Sequence, residues 1–535
     1  MTQRVRTPTG IAVTGTGVQT DTHGMRNVLE QLDKACFVLE SRGRTGLSVE
    51  SAHPGWQVIA AVPDCPPDAL GARGLVTEGS LRAAYMSGAM AGGISSVSVV
   101  REMRRHGLLA SLGAGGLSAA TIGTLLDELD REQSVAGYLV NLLHSPQDPR
   151  LESEVVDLLL RRRVRWIEAS AFMGITPALA RYRVAGLRMR DGRVVAGNRV
   201  MAKVSRVELM QVFGRPVPDA ILGSLLDSGL VTVEQANWAR EVSVADEITV
   251  EADSGGHTDS RPLAVLLPRF LAEREALRRE FRPAGSIHLG AAGGLGTPTA
   301  VAAAFALGAD YVVTGSVNQV CREADVSDRA KAMLAAAGVA DFAKAPAADM
   351  FEIGAQVQVL KKPTMFAARA QRLGRLYEQH QSLDALPPSD LVWLEEKILR
   401  RGIDTAWADT LEYLAVARPH EVAREVEPRR KMALLFRSYL GLSSRWARDG
   451  DSERVFDFQL WAGPALGAFN DWVAGGPLSD VSTRSVVDVA ANLMVGAAYE
   501  TRVHQLRTTG VRLPPTVASF RPRLHCAQWM SSNTR

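Results

Sequence analysis

The chain has 535 residues, of which 46% are hydrophobic, 22% charged and 6% aromatic, with 61 Lys and Arg against 58 Asp and Glu. So apolar and so nearly neutral a composition excludes a disordered chain, and 47 glycines and 25 prolines without a Gly-X-Y period exclude a collagen-like one. The length asks for two or more domains. Mixed charge, with no lysine-rich tail or aromatic-interleaved basic stripe, argues against nucleic acid as a partner.

Residues 1–80 carry β-like runs at Gly10–Val18, Cys36–Leu39 and Trp56–Val62, with Gly and Pro between them. They predict a small β-containing N-terminal domain. Its first ten residues lack the apolar centre of a signal peptide.

Residues 81–380 alternate short apolar runs with helical patterns. The runs are Ala84–Ala91, Leu108–Gly113, Gly137–Asn141, Val164–Ala169, Arg199–Val204, Glu247–Glu251, Ser286–Gly290 and Asp310–Gly315. Helix-like segments such as Ile94–His106, Ser118–Arg131, Glu152–Arg162, Pro262–Glu280, Pro298–Leu307 and Ser327–Ala337 lie between and after them. Eight strands, each followed by a helix, predict an α/β fold, the (β/α)8 TIM barrel. Insertions are expected at 176–245: a hairpin turning at Asp191-Gly192, which suits a type I′ turn, and a long helical stretch over Val207–Val242. Residues 381–535 predict a helical C-terminal extension.

The most apolar stretch, Ala300–Ala309, spans about 15 Å as a helix, half of a bilayer's hydrocarbon core, so no membrane span is expected. Cys36, Cys65, Cys321 and Cys526 have neither metal-ligand spacing nor the density of a disulfide framework. A cytoplasmic protein without a metal site is the expectation.

Barrel chemistry sits on loops after the strands, and there the sequence turns rich in glycine: Met90-Ala91-Gly92-Gly93, Gly113-Ala114-Gly115-Gly116, Ser254-Gly255-Gly256-His257, Ala292-Gly293-Gly294 and Thr314-Gly315-Ser316. One such loop merely ends a strand or caps a helix. Two adjacent ones, after strands 7 and 8, match the standard barrel phosphate site, with Thr297 and Pro298 starting a helix beside them. The spacing is not G-x-G-x-x-G, which disfavours a Rossmann site. His257, in a Ser-Gly-Gly-His run with Asp253 and Asp259 near in sequence, is the acid–base candidate. His144 and His288 read as structural, and Cys321 as an inert buried thiol. Lys203 is either solvated at the rim or held toward an electron-rich ring. Asn141 either bonds a heterocycle or forms an Asx turn. Lys361, Lys362, Arg369, Arg372 and Arg375 form a basic patch that is either a solvated face or a docking surface.

These motifs resemble the flavin barrels of the nitronate monooxygenase and FMN-dependent enoyl-reductase superfamily. Ser254 to Pro262, Thr314 to Gln319, Ala347 to Ala355, Leu360 to Phe366, Tyr439 to Ala447 and Gly463 to Asn470 are similar to one branch of it. That branch is the stand-alone, trans-acting enoyl reductase (PfaD-type) of polyunsaturated fatty acid and polyketide synthases. The resemblance runs from about residue 50 to about 515. It implies FMN at the barrel mouth, with its phosphate on Gly293, Gly294, Gly315 and Ser316. Met90, Ala91 and Gly92 would back the ring, and Asn141 and Lys203 would bond its polar edge. Ser254, Gly255, Gly256, Ala292 and Thr314 complete the implied cofactor set. It further implies NADPH or NADH as transient hydride donor, His257 as the catalytic residue, and a trans-2-enoyl thioester on an acyl carrier protein as substrate. It leaves a homodimer open. Two other readings stay open: a nitronate monooxygenase-like flavin oxidase, and a non-catalytic barrel subunit of a synthase.

Overall fold

The structure, a computed structural model, describes residues 17–131, 137–146, 148–417 and 427–531. Most of the Gly10–Val18 run therefore lies outside the described residues.

Eight short apolar runs become the strands of a closed parallel barrel: β1 (Tyr85–Ser87), β2 (Leu109–Leu112), β3 (Leu139–Leu143), β4 (Trp166–Ser170), β5 (Arg199–Val204), β6 (Glu247–Glu251), β7 (His288–Ala292) and β8 (Tyr311–Thr314). Each follows the next around the ring, and β8 closes on β1 with Val312 opposite Tyr85. Every residue of β2 and β8 is buried, as expected of strands covered on both faces. All eight overlap the runs read from the sequence. This is the predicted (β/α)8 architecture.

The outer helices begin where the sequence supplies caps. α1 (Val97–Arg105), α2 (Ala119–Asp130), α3 (Pro149–Arg161) and α4 (Pro177–Ala185) start on Ser96, Ser118, Asp148 and Thr176, whose side chains accept amides of the first turn. After β5 the chain makes three short helices, α5 (Glu208–Phe213), α6 (Asp219–Asp227) and α7 (Val233–Ala239). α8 (Leu263–Glu280) follows β6, and α9 (Pro298–Ala306) follows β7 with Thr297 as its cap. The hairpin pairs Leu187–Arg190 with Arg193–Ala196, and Asp191 and Gly192 both have positive φ, as a type I′ turn requires. Its first strand starts later than the apolar pattern suggests, because α4 runs on to Ala185.

The eighth place in the helix ring departs from the simple repeat. The helix after β8, α10 (Asp328–Ala335), packs against α15 (Pro464–Val473) rather than between α9 and α1. That place is taken by α16 (Val486–Thr508), which packs on both α9 and α1. The reason is burial: α16 is apolar around most of its circumference and needs cover on all sides. Its other neighbours are the N-terminal helix Thr22–Glu30 and the strand Gln57–Val62. Buried Arg502 of α16 donates to the carbonyls of Leu29, Gln31, Leu32 and Lys34, which satisfies the end of that N-terminal helix. The N-terminal β-structure is a three-stranded antiparallel sheet in which Arg44–Ser48, a strand the sequence pattern did not reveal, pairs with Cys36–Ser41.

Between β8 and α16 a helical unit builds its own core. α11 (Phe366–Gln379), α12 (Pro388–Trp393), α13 (Ile403–Ala417) and α14 (Pro428–Asp449) surround Phe366, Leu373, Ile398, Phe436 and Tyr439. Asp457 is fully buried here and is held by Arg369, Arg454 and Tyr439. After α12 the helix widens into a π-turn, Leu394–Leu399, and Arg454 donates to the carbonyls of Ile398 and Leu399 at 2.8 and 2.9 Å. Among the described residues no helix is long and apolar enough to cross a membrane.

Candidate functional site

A cavity of about 820 Å³ lies between the C-terminal mouth of the barrel and the helical unit above it. All fifteen residues singled out from the sequence line it: Met90, Ala91 and Gly92 after β1, Asn141 in β3, Lys203 in β5, Ser254 to His257 after β6, Ala292 to Gly294 at the end of β7, and Thr314 to Ser316 at the end of β8.

The glycines have a measurable reason to be there. Gly293 has φ +89°, and a Cβ on it would lie 2.7 Å from the carbonyl carbon of Ala252. Gly294 also has positive φ, at +75°. A Cβ on Gly315 would meet nothing within 4 Å, so the backbone there borders open space. With the first turn of α9 alongside, this corner fits an anionic group such as a phosphate.

Deeper in the mouth, Lys203 Nζ lies 3.3 Å from Glu251 Oε1 and 3.5 Å from Glu168 Oε1. Burial works against its charge, but the two carboxylates outweigh that and hold the ammonium well above its usual pKa. It is neither solvated nor a free counter-charge. Glu168 is fully buried and accepts the amide of Ala89 at 2.9 Å. Asn141 Nδ2 donates to the Glu168 carbonyl and to Ser170 Oγ, both at 3.0 Å, so it is a cross-strand tie rather than an Asx turn.

His257 does not pair with its sequence neighbours. Asp253 accepts Gln358, and Asp259 binds Arg206 at 2.8 Å. The imidazole partner is Asp349, with Nε2 3.0 Å from Oδ2. Trp461 stands edge-on to the ring, with centroids 5.6 Å apart. Burial lowers the imidazole pKa, yet the hydrogen bond and charge of Asp349 more than reverse this, and the net shift is upward. Asp349 itself is pushed up by burial and pulled further down by His257, for a net lowering.

The helical unit roofs the site. Gly463 N donates to Ser316 Oγ at 3.2 Å, and Arg448 of α14 reaches the carbonyl of Gly92. Sequence reasoning missed Glu168, Glu251, Asp349 and Arg448. Glu168 was within reach, since a carboxylate inside an apolar parallel strand must find a buried partner. Asp349 and Arg448 carry no such local signal.

The remaining candidates are placed elsewhere. His144 Nδ1 bonds Glu152 at 2.9 Å, a structural tie. Cys321 is fully buried, and burial pushes its thiol far above the range of a nucleophile. In the basic patch, Arg369 is held by Asp457, and Arg372 pairs with Asp390 and stacks on Trp393 at 3.9 Å, while Lys361 and Lys362 remain exposed. Among the described residues no cluster of His, Cys, Asp and Glu could hold a metal ion.

Known proteins share the sequence and fold of most of this chain. The chain matches the crystal structure of the enoyl reductase domain of MlnA from the macrolactin biosynthesis cluster of Bacillus amyloliquefaciens at 35% identity and a TM-score of 0.78, covering 83% of this chain and 100% of that one. The chain belongs to the family of that enoyl reductase domain. It is also 44% identical over 455 residues to a polyunsaturated fatty acid synthase polypeptide of Thraustochytrium sp., and 40% identical over 433 residues to the polyketide biosynthesis protein PksE of Bacillus subtilis. These matches cover 83% and 81% of this chain but only 30% and 56% of those proteins. Residues 380–458 match the family model of the inserted helical domain of acyl-carrier-protein S-malonyltransferase.

Proposed function

We propose that this chain is an FMN-dependent, trans-acting enoyl reductase of the PfaD type, which reduces trans-2-enoyl thioesters on an acyl carrier protein with NADPH or NADH. The observation that carries this reading is the meeting, in one roofed cavity, of the glycine corner at β7 and β8, the Lys203 cluster and the His257–Asp349 pair. Gly293, Gly294, Gly315 and Ser316 would receive the FMN phosphate, Met90 to Gly92 would back the ring, and Asn141 and Lys203 would meet its polar edge. Bound there, the flavin supplies hydride transfer from the nicotinamide to the β-carbon of the enoyl thioester. Lys203, already balanced by Glu168 and Glu251, serves as a fixed hydrogen-bond donor. His257 holds the proton destined for the α-carbon, and the roof keeps water from the reacting atoms. The division into an N-terminal unit at 1–80, a barrel at 81–380 and a helical extension at 381–535 is part of the same proposal, with α16 joining extension to barrel.

The visible spectrum of the purified protein, and the cofactor released on heating, test the flavin. NADPH consumption with crotonyl thioester, measured beside a nitronate with oxygen, tests the reaction. Reduction of the thioester alone is expected. Turnover of the nitronate alone would move the chain to the oxidase reading, and a colourless protein that cannot be reconstituted with FMN would remove the redox assignment. His257→Ala is expected to bind flavin and to slow thioester reduction by roughly 10²-fold or more.

A further inference from the structure

Asp349 lies between the strand Phe342–Pro346 and the single turn Phe351–Ile353. Arg437 of α14 clamps this segment on both sides of Asp349, donating to the carbonyl of Ala348 at 3.0 Å and to Glu352 at 2.9 Å. The helical unit thus sets the position of the carboxylate that meets His257. On the imidazole, Nε2 is engaged by Asp349, whereas Nδ1 is buried and has no hydrogen-bond partner among the described residues. A buried ring nitrogen without a partner is costly unless a ligand or water completes it.

We propose that Asp349 is the positioning residue for His257: it accepts the Nε2–H, fixes the ring, and leaves the Nδ1–H as the proton that passes to the substrate. This rests on the enoyl reductase reading for the identity of the proton acceptor, and on the hydrogen bond alone for the state of the ring. In the step itself, hydride supplied at the β-carbon by a bound reduced flavin would leave an electron pair at the α-carbon. The Nδ1–H bond breaks and the α-carbon–hydrogen bond forms with that pair. The imidazole ends neutral, with its remaining proton on Nε2 and still bonded to Asp349. The charged groups facing the ring are Asp349 and Glu251, which favour the imidazolium, and Lys203, which opposes it; burial opposes it too.

The test uses the flavin-loaded protein with ¹⁵N-labelled histidine, and His257→Gln assigns the resonance. In the parental protein the neutral ring is expected to carry its proton on Nε2; a proton on Nδ1 overturns the proposal without any variant. Asp349→Asn is expected to move the His257 titration to lower pH. It should also move the high-pH fall of crotonyl-thioester reduction the same way, slowing turnover about tenfold or more at pH 8. Asp349→Glu, which keeps the carboxylate, should restore much of the parental profile. An unmoved titration, or an unchanged pH profile, overturns the positioning role. If the parental protein reduces no enoyl thioester at all, the failure belongs to the proposed function, and the titration and tautomer still decide what Asp349 does to the ring.

Discussion

Arg448 of α14 donates from Nη1 to the carbonyl oxygen of Gly92 at 2.8 Å, which ties the helical roof to the first loop of the barrel mouth. Gly92 is in the left-handed region, at φ +69°, and a free carbonyl there would let the loop relax. A hydrogen bond from a charged donor is worth about 1.5–3 kcal/mol. Arg448→Ala should therefore weaken FMN binding by about tenfold, measured by fluorescence titration of the apo protein. Unchanged affinity would mean that the roof does not order this loop.

Among the described residues, Lys203 is the cation that both Glu168 and Glu251 face in the mouth. Lys203→Met would leave the buried Glu168 and the partly buried Glu251 without the cation they share. Removing one partner of a buried ion pair costs about 3–5 kcal/mol. Urea unfolding should show a loss of that size, and Lys203→Met combined with Glu251→Gln should recover part of it. A loss equal to or below that of a surface lysine would show that water already compensates the cluster.

Gly293 and Gly315 should separate folding from binding. Alanine at Gly293 must hold φ +89° and press on the Ala252 carbonyl, a strain of roughly 1–3 kcal/mol that should lower the melting temperature of the apo protein. Alanine at Gly315 meets nothing, so the apo protein should melt as the parent does, while FMN affinity should fall if the new methyl takes the space proposed for the phosphate. Parental FMN affinity in Gly315→Ala would place the phosphate elsewhere.

The His257–Asp349 pair makes stability depend on pH in both directions. His257 is raised from 6.5 on folding, so its contribution is complete below that value and is lost as pH rises through the folded pKa. Asp349 is lowered from 3.8, so its contribution is present above that value and is lost as pH falls. A double-mutant cycle with His257→Gln and Asp349→Asn should give its largest coupling between about pH 4 and 6.5, and a much smaller one at pH 9. A coupling flat across that range would mean that the pair is not charged.

Much of the barrel was legible because its signals are local. A parallel strand covered on both faces reads as a short apolar run, Thr297 before Pro298 reads as a helix start, and Asp191-Gly192 reads as a turn. The glycine loops were legible for the same reason: after a barrel strand, a missing Cβ is meaningful wherever it falls, and Gly293 does occupy a conformation that rejects side chains. Arg44–Ser48 was missed because five residues with two glycine-adjacent polar positions carry no clear alternation. Asp253 and Asp259 lie near His257 in sequence but bond Gln358 and Arg206 instead, because nearness along a loop does not set where side chains point.

Residue order by itself determined the eight-stranded barrel and the place of its mouth, since both depend on patterns a few residues long. Only the tertiary structure decided that α16 fills the eighth helix position, that Glu168 and Glu251 bracket Lys203, and that Asp349 answers His257. Those pairings join segments tens to hundreds of residues apart. They are selected by the need to bury a helix that is apolar around most of its circumference and to pair charges away from water, and that need exists only once the chain has closed on itself.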